Sequence, residues 1–185
     1  MKMKDFGVSS YHPDLKDPQV LEQILHTYAQ SLIRYAYTLI GSSAAAEDAM
    51  EDAIAALYVK GGRFQSEAQM RSWLYKTTRN KAIDYLRRHK REVPLCDVEN
   101  VLQSWDAEQD AFLRRRNQQL YACMQRLPQQ YREVLQLSYF EGFSVEQICM
   151  IQRKSAKQVY NLLARARTSL KQLLMEEGIT HEDLR

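Results

Sequence analysis

The chain has 185 residues, of which 26 are basic and 23 acidic, so its formal net charge is only +3, and 45% of its residues are hydrophobic. This length suits one ordinary domain or two small ones, and a charged fraction of 26% is that of globular rather than disordered proteins. No apolar run reaches the roughly 18 residues that span a bilayer, and the N-terminus has no stretch typical of a signal peptide. We therefore expect a cytoplasmic protein with no direct membrane insertion.

The residue types that usually carry catalysis or bind metals are scattered. The cysteines Cys96, Cys123 and Cys149 form no Cys-x-x-Cys pair, which argues against a zinc site or a disulfide framework and predicts reduced thiols. The four histidines form no His-Glu-x-x-His motif, and the six glycines form no phosphate-binding loop. We expect no enzyme activity, no metal and no cofactor.

In the first half of the chain, apolar residues recur at helical spacing. The first predicted helix ends at Gly41, and the second begins after Ser43. The third opens at Ser66, with Gln69 at capping-box spacing, and runs to Arg91. The pattern predicts a three-helix unit.

Residues 92–110 interrupt this pattern with Pro94, six acidic residues and no basic one. We interpret them as a linker between two units. Helical spacing then resumes, and Pro128 marks the start of a helix that reaches Gly142. The sequence thus predicts an all-α fold of two small helical domains joined by an acidic linker.

The last part of the chain contains two serine–glutamine pairs at capping-box spacing. Ser144 precedes Gln147 and Ser155 precedes Gln158, and residues 152–154 lie between the two predicted helices. Two short-linked helices of this kind form a helix-turn-helix.

The weak net charge conceals strong local charges. Residues 71–91 carry eight basic side chains and one acidic, and residues 153–171 carry six basic and none acidic, so the rest of the chain sums to −10. A basic helix with aromatic residues suits phosphates and unpaired bases. The alternatives are a solvated charged face and, for Trp73, packing in the core.

One predicted helix has the opposite character. Residues 44–58 contain Glu47, Asp48, Glu51 and Asp52 and no basic residue. Clustered like charges destabilise a helix unless cations from elsewhere neutralise them, so a protein partner is one explanation. Compensation of the helix dipole is the alternative, and it suits Glu47 and Asp48 better than the other two.

Several segments together resemble one family. They read AEDAMEDAIAAL at 46–57, RSWLYKTTRNKAIDYLRRHKRE at 71–92, LPQQYREVLQLSYFEGFSVEQI from 127 and SAKQVYNLLARARTSLKQLL to 174. Their order and spacing resemble the extracytoplasmic-function (ECF) group of bacterial sigma-70 factors over about residues 18–175. The resemblance implies an N-terminal extension (1–17), a sigma region 2 domain (18–92), the linker (93–110), a sigma region 4 domain (111–175) and a C-terminal tail (176–185).

The resemblance also implies a function. Region 2 would bind the β′ coiled coil of core RNA polymerase and open promoter DNA at the −10 element, and region 4 would read the −35 element and contact the β flap. The chain would be an alternative sigma factor that breaks no bond in its substrate. Its implied partners are core polymerase, promoter DNA and an anti-sigma factor.

The resemblance places three groups of contact residues on this sequence. The predicted −10 contacts are Arg63, Phe64, Trp73, Lys76, Arg79, Asn80, Asp84, Arg87 and Arg88. The predicted −35 contacts are Arg153, Lys154, Ser155, Lys157, Gln158, Tyr160, Asn161 and Arg165. The predicted polymerase contacts are Glu47, Asp48, Glu51 and Asp52. Asn80 is the expected base reader, and Arg87 and Arg88 are expected to hold phosphates.

The chain departs from the family pattern at three places. Residues 147–149 read Gln-Ile-Cys where Glu-Ile-Ala is common, Gln152-Arg153 replaces a Leu-Gly turn, and Glu51 stands where glutamine is common. Cysteine can pack like a small apolar residue, whereas the loss of glycine leaves the geometry of the turn open.

Two other functions remain compatible with parts of the pattern. One is a classical regulator that binds a palindrome as a dimer, although the acidic helix and the lack of an effector domain argue against it. The other makes the first unit a protein-interaction module and confines DNA contacts to residues 144–170. A further hypothesis is that the acidic residues 95–110 shield the basic helices of the free protein.

Overall fold

The computed structural model describes residues 11, 13–60, 63–89 and 119–179. These residues are almost entirely helical, and a bridge between Tyr11 and Phe64 is their one strand-like pairing. The all-α prediction is confirmed for them. The predicted linker and Cys96 lie outside the described residues. So do residues 95–110, for which the sequence suggested that they shield the basic helices.

The first unit consists of α1 (Pro18–Ile40), α2 (Ser43–Lys60) and α3 (Glu67–Arg88), which pack against one another. Asp17 caps α1, and Gly41 ends it with a left-handed φ of 78°. Fully buried side chains fill the space between the three helices: Leu32, Tyr35, Leu57, Met70, Leu74 and Tyr75. The described helix α3 ends at Arg88, where the sequence predicts a continuation to Arg91.

The capping box predicted at the start of α3 is half formed. The Ser66 hydroxyl accepts a hydrogen bond from the Gln69 backbone N–H at 3.2 Å. The Gln69 side chain, however, accepts from the backbone N–H of Gln65 at 2.6 Å rather than from Ser66. The prediction of a reciprocal box was wrong here, because the preceding residue presents the nearer donor.

Part of the predicted N-terminal extension is packed against this unit. The backbone N–H of Phe64 donates to the carbonyl of Tyr11 at 3.1 Å, and Leu15 is buried. The segment ahead of α1 therefore adds to the core instead of standing apart from it.

The described part of the second unit contains helical residues 119–125, then α4 (Gln129–Leu135) and a π-helix (Gln136–Phe140). The single helix expected from Pro128 to Gly142 is thus interrupted. The backbone N–H of Glu141 bonds to the carbonyl of Gln136 at 3.0 Å, five residues back, and Gly142 ends the segment with a left-handed φ of 65°. Helical spacing in the sequence does not reveal this local widening.

The helix-turn-helix is formed by α5 (Val145–Gln152) and α6 (Ala156–Glu176). Both predicted capping boxes are complete: Ser144 with Gln147 begins α5, and Ser155 with Gln158 begins α6. The helix-turn-helix is therefore present as the sequence predicts.

The turn itself has an arginine at a position where glycine is the usual residue. Arg153 adopts the left-handed conformation, with φ 54° and ψ 48°, and its backbone N–H bonds to the carbonyl of Cys149. The turn keeps the geometry that glycine would allow, at a cost in backbone strain of about 1 kcal/mol.

The two units pack directly against each other. Helix α5 lies against α3, α4 lies against α1, and buried apolar residues of both units form one continuous core. Because α6 in turn packs against α5, α6 is held close to the first unit.

The strained turn generates a stability prediction. We expect Arg153→Gly to raise the free energy of unfolding by about 0.5–1 kcal/mol, because glycine adopts a left-handed φ without a steric penalty. The matched control is Arg165→Gly inside α6, which should lower it by about 1 kcal/mol. Urea unfolding followed by circular dichroism measures both, and a loss of stability in Arg153→Gly would contradict the strain.

Candidate DNA and polymerase interfaces

One face of α3 carries most of the predicted −10 contacts. Lys76, Asn80, Asp84 and Arg87 recur at helical spacing and therefore share a face, with Trp73 one turn earlier. Asn80 and Arg87 are exposed, and Asp84 pairs with Arg87 at 3.1 Å. This outer face of α3 presents an amide, cations and an aromatic ring together.

The residues ahead of α3 divide into an exposed and a buried one. Arg63 is exposed, whereas Phe64 is only 5% exposed and packs edge-on against Trp73, with ring centroids 6.0 Å apart. The Lys60 ammonium lies 5.1 Å from the Phe64 ring centre and 5.6 Å from that of Trp73. Phe64 therefore packs against the Trp73 ring. Because Phe64 is buried, it is not accessible in this arrangement for the direct DNA contact that the sequence predicted.

Arg79 also departs from the predicted set. It directly precedes Asn80 on the helix, yet its side chain points toward the second unit, where Nε donates to Oε1 of Glu133 at 2.5 Å. Its side chain is 16% exposed. The adjacent positions Arg79 and Asn80 diverge because successive residues of an α-helix are rotated by about 100°, so Arg79 does not belong to the outer face of α3.

The acidic face of α2 is open to solvent. Glu47, Asp48, Glu51 and Asp52 are all exposed. Asp52 pairs with Lys81 of α3 at 3.0 Å. Among the described residues, no cation lies within ion-pair distance of the other three carboxylates, so this face remains strongly negative.

The first turns of α6 present the predicted −35 contacts unevenly. Lys157, Tyr160, Asn161 and Arg165 are exposed on one side of the helix. The side chains of two further predicted contacts close the capping box: Gln158 Oε1 accepts from the Ser155 backbone N–H at 2.8 Å, and the Ser155 hydroxyl accepts from the Gln158 backbone N–H. In the turn before α6, Arg153 is exposed and Lys154 half-buried.

A cluster that the sequence did not predict lies between the two units. The buried Glu133 carboxylate in α4 accepts from the Tyr35 hydroxyl of α1 at 2.9 Å and from Arg79 of α3. One oxygen of Glu133 thus receives donors from two helices of the first unit.

A second carboxylate repeats this arrangement. Glu141, just after the π-helix, accepts from the Tyr75 hydroxyl of α3 and, on its other oxygen, from the Gln136 amide at 2.9 Å. Arg71 of α3 donates to the Glu141 backbone carbonyl at 2.6 Å. The Arg71 guanidinium also lies 4.2 Å from the ring centre of Phe143. We call Glu133 and Glu141 with their partners Tyr35, Arg71, Tyr75 and Arg79 the interdomain clasp.

The tyrosines of the clasp remain donors at neutral pH. Burial, together with the Glu133 carboxylate, raises the pKa of Tyr35 well above its usual value. Burial, together with the Glu141 carboxylate, likewise raises the pKa of Tyr75. Both hydroxyls therefore keep the proton that they donate to a carboxylate.

The sequence contained a weak signal for the clasp. Glu133 and Gln136 flank the apolar pair Val134 and Leu135, Leu137 follows, and all five are buried. Acidic residues are almost never fully buried unless they are paired, so a carboxylate there implies a partner. The identity of that partner, a distant tyrosine and arginine, could not be inferred from local spacing.

The described part of the chain shows neither a metal site nor a membrane-spanning helix. Its His, Cys, Asp and Glu side chains form no group of three or more that could hold a metal ion. None of its helices is long and apolar enough to cross a membrane. Cys123 is buried, Cys149 is half-buried, and both are free thiols.

Comparison with known proteins agrees with this arrangement. The family model of Sigma-70 region 2 matches residues 24–92, and that of Sigma-70, region 4 matches residues 117–170. The chain belongs to the ECF group of the sigma-70 family. It is thus an alternative sigma factor, which binds core RNA polymerase and directs promoter-specific initiation of transcription. Sigma factors are non-enzymatic initiation factors.

Individual relatives cover nearly the whole chain. This sigma factor is 27% identical to the ECF RNA polymerase sigma factor SigM of Bacillus subtilis over 168 residues, which are 88% of this chain and 99% of the relative. It is 29% identical to RNA polymerase sigma factor SigZ of the same organism, over 87% of this chain and 89% of the relative.

A solved structure supports the fold. The sigma factor RpoE from Bartonella quintana, crystallised in complex with the anti-sigma factor NepR, superposes with a TM-score of 0.64. The match covers 83% of this sigma factor and 96% of that chain at 22% sequence identity. The two share the arrangement of helices.

Proposed function

We propose that three separate surfaces of this sigma factor divide its work. The outer face of α3 captures melted DNA at the −10 element, the first turns of α6 read the −35 element, and the acidic face of α2 contacts core polymerase. The observation that carries this proposal is the outer face of α3, where Asn80 and Arg87 are exposed beside Trp73. The bounds 18–92 and 111–175 of the two domains are part of the proposal.

The chemistry of α3 suits unpaired bases better than an intact duplex. An exposed amide such as that of Asn80 can donate to and accept from a base edge, and an aromatic ring such as Trp73 offers a surface for stacking. Cations nearby, from Lys76, Arg87 and Arg88, can hold the phosphates that fix the strand. Binding of exposed bases offsets the few kcal/mol that each unstacked step costs.

The chemistry of α6 suits the major groove of an intact duplex. The N-terminal residues of a recognition helix contact base edges, and Lys157, Tyr160 and Asn161 occupy that part of α6. Asn161 is suited to adenine, whereas Lys157 and Arg165 are suited to guanine or phosphate. The side chains of Ser155 and Gln158 cap the N-terminus of α6. The exposed Arg153 and the half-buried Lys154 are placed to hold the DNA backbone.

The acidic face of α2 suits a basic protein surface rather than DNA. Glu47, Asp48 and Glu51 are exposed and have no described cation beside them, so a positively charged partner would relieve their repulsion. We assign this face to the β′ coiled coil and the second unit to the β flap. An anti-sigma factor would regulate the chain, as in the solved complex of the structural relative. The chain would act on promoter DNA in the cytoplasm, and it would have no enzyme activity of its own.

The outer face of α3 can be tested through promoter opening. We expect Asn80→Ala/Arg87→Ala to reduce open complexes at least about tenfold, because a base contact and a phosphate contact are lost together. Permanganate reactivity of unpaired thymines around the −10 element measures opening. The control Gln30→Ala/Arg126→Ala removes an exposed amide and an exposed arginine elsewhere. Unchanged opening in the α3 variant would favour a first unit that binds protein alone.

Recognition by α6 can be tested through its salt dependence. We expect Lys157→Ala and Arg165→Ala each to lower the slope of log affinity against log salt by about one, if each neutralises one phosphate. Binding of holoenzyme to duplex containing the −35 element supplies the measurement. Lys171→Ala, near the other end of α6, removes the same charge and should leave the slope unchanged; an equal loss there would indicate a purely nonspecific field.

The acidic face of α2 can be tested through polymerase affinity. We expect Glu47→Gln/Glu51→Gln to weaken binding to core polymerase about tenfold, with a smaller salt dependence, because complementary charges are removed from the interface. The matched control is Glu146→Gln/Glu177→Gln, which changes the net charge equally at exposed sites of the second unit. Equal affinities of the two variants would exclude α2 as the contact.

A further inference from the structure

The chain ahead of α1 is fixed to the first unit at two points. At one, the Phe64 backbone N–H donates to the Tyr11 carbonyl at 3.1 Å, which forms the antiparallel bridge. At the other, the Leu15 side chain is only 5% exposed and belongs to the core. We call residue 11 and residues 13–17 the N-terminal segment. It is attached both to the core and to the residues that lead into α3.

The first residue of α3 has contacts of its own with this region. The Tyr28 hydroxyl of α1 donates to Oε1 of Glu67, where α3 begins, at 2.6 Å. Burial and the Glu67 carboxylate raise the pKa of Tyr11 above its usual value, so the Tyr11 ring also lies near this carboxylate. The entry to α3 is thus held by two elements, the N-terminal segment and α1.

The bridge acts on the aromatic pair of the proposed −10 surface. Phe64, whose backbone the bridge holds, packs its ring edge-on against Trp73, with ring centroids 6.0 Å apart. The Lys60 ammonium lies 5.1 Å and 5.6 Å from the two ring centres. Phe64 is buried, whereas Trp73 is half-buried and keeps part of its ring open to solvent. A displacement of the Phe64 backbone would therefore move the ring against which Trp73 packs.

We propose that the N-terminal segment is a positioning element for the capture of unpaired bases, because its bridge to Phe64 holds the Trp73 ring in the orientation that receives a base. This inference rests on the proposed function, since it needs the outer face of α3 as the −10 surface. The segment acts through two contacts in series. The Tyr11 carbonyl holds the Phe64 backbone, and the Phe64 ring holds Trp73.

Positioning matters here because Phe64 lies outside the helices. Side chains on connecting segments are held less precisely than those on helices unless further contacts fix them. The backbone N–H of a buried residue also needs a hydrogen-bond partner, and the Tyr11 carbonyl supplies it. A ring that is already in its binding orientation spares the cost of ordering it when DNA binds. Detachment of the segment should therefore weaken base capture even in a folded chain.

The fluorescence of Trp73 tests the positioning directly. The chain has two tryptophans, so Trp105→Phe leaves Trp73 as the single reporter. In that background, Tyr11→Ala/Leu15→Ala removes both apolar anchors of the N-terminal segment. We expect the Trp73 emission to shift to longer wavelength and its quenching by acrylamide to increase, because the ring loses its fixed Phe64 neighbour. Unchanged emission and quenching in the folded variant would overturn the positioning.

Matched variants separate positioning from stability. Ile33→Ala/Ile54→Ala also removes one half-buried and one buried apolar side chain from the first unit. It should leave the Trp73 emission unchanged, and an equal shift there would attribute the effect to lost stability and overturn the positioning. Tyr11→Phe/Leu15→Ile keeps both anchors and should retain the wild-type signal. If circular dichroism shows that the double alanine variant is unfolded, Tyr11→Ala alone, which keeps the buried Leu15, decides the matter.

Promoter opening tests the role in base capture. In chains with both tryptophans, we expect Tyr11→Ala/Leu15→Ala to reduce permanganate-reactive open complexes about fivefold at equal holoenzyme concentration, because DNA must then order the Trp73 ring. Binding to core polymerase should stay as in wild type, and an equal loss there would indicate a general defect and overturn the role. A shifted Trp73 emission with undiminished opening would also overturn it. If Asn80→Ala/Arg87→Ala leaves opening unchanged as well, the proposed function fails instead, while the fluorescence comparison still decides whether the segment positions Trp73.

Discussion

Two buried carboxylates determine how the halves of this sigma factor meet. A carboxylate that leaves water must receive hydrogen bonds and charge from the protein, or its burial costs more than the surrounding packing returns. Glu133 and Glu141 lie in the second unit, and most of their donors lie in the first. The position of the second unit therefore follows from matching these donors, and the aromatic contacts of Phe143 with Tyr75 and Arg71 close the space around them.

Helix α3 has two different faces. The side that carries Arg79 binds the second unit, and the opposite side, with Asn80 and Arg87, is exposed to solvent. Since neighbouring residues of a helix point about 100° apart, adjacent polar residues can hold unrelated roles. A sequence stretch with eight basic residues thus contains cations for two surfaces, and Arg71 and Arg79 belong to the one inside the protein.

The parts that the sequence predicted correctly depend on local contacts. Ser144 and Ser155 form their capping boxes because donor and acceptor are three residues apart, and Gly41 ends α1 because a left-handed residue is favoured there. The π-helix, the half-formed box at Ser66 and the burial of Phe64 were not predicted. Each depends on which of several partners a group contacts. Apolar spacing alone does not distinguish a π-helix, whose hydrogen bonds join residues five apart, from an α-helix.

By itself, the sequence determined the family, the helical class, the helix-turn-helix and the opposed charges of α2, α3 and α6, since these follow from residue types at short spacing. Only the tertiary structure decided which cations of α3 are exposed on its outer face and which pair with Glu133 and Glu141. It also decided that the two units adjoin, and that Arg153 takes the place of a glycine in the turn. The reason is physical: the donors of a buried carboxylate come from residues far away in the chain, as Tyr35 does for Glu133, and no local pattern encodes that pairing.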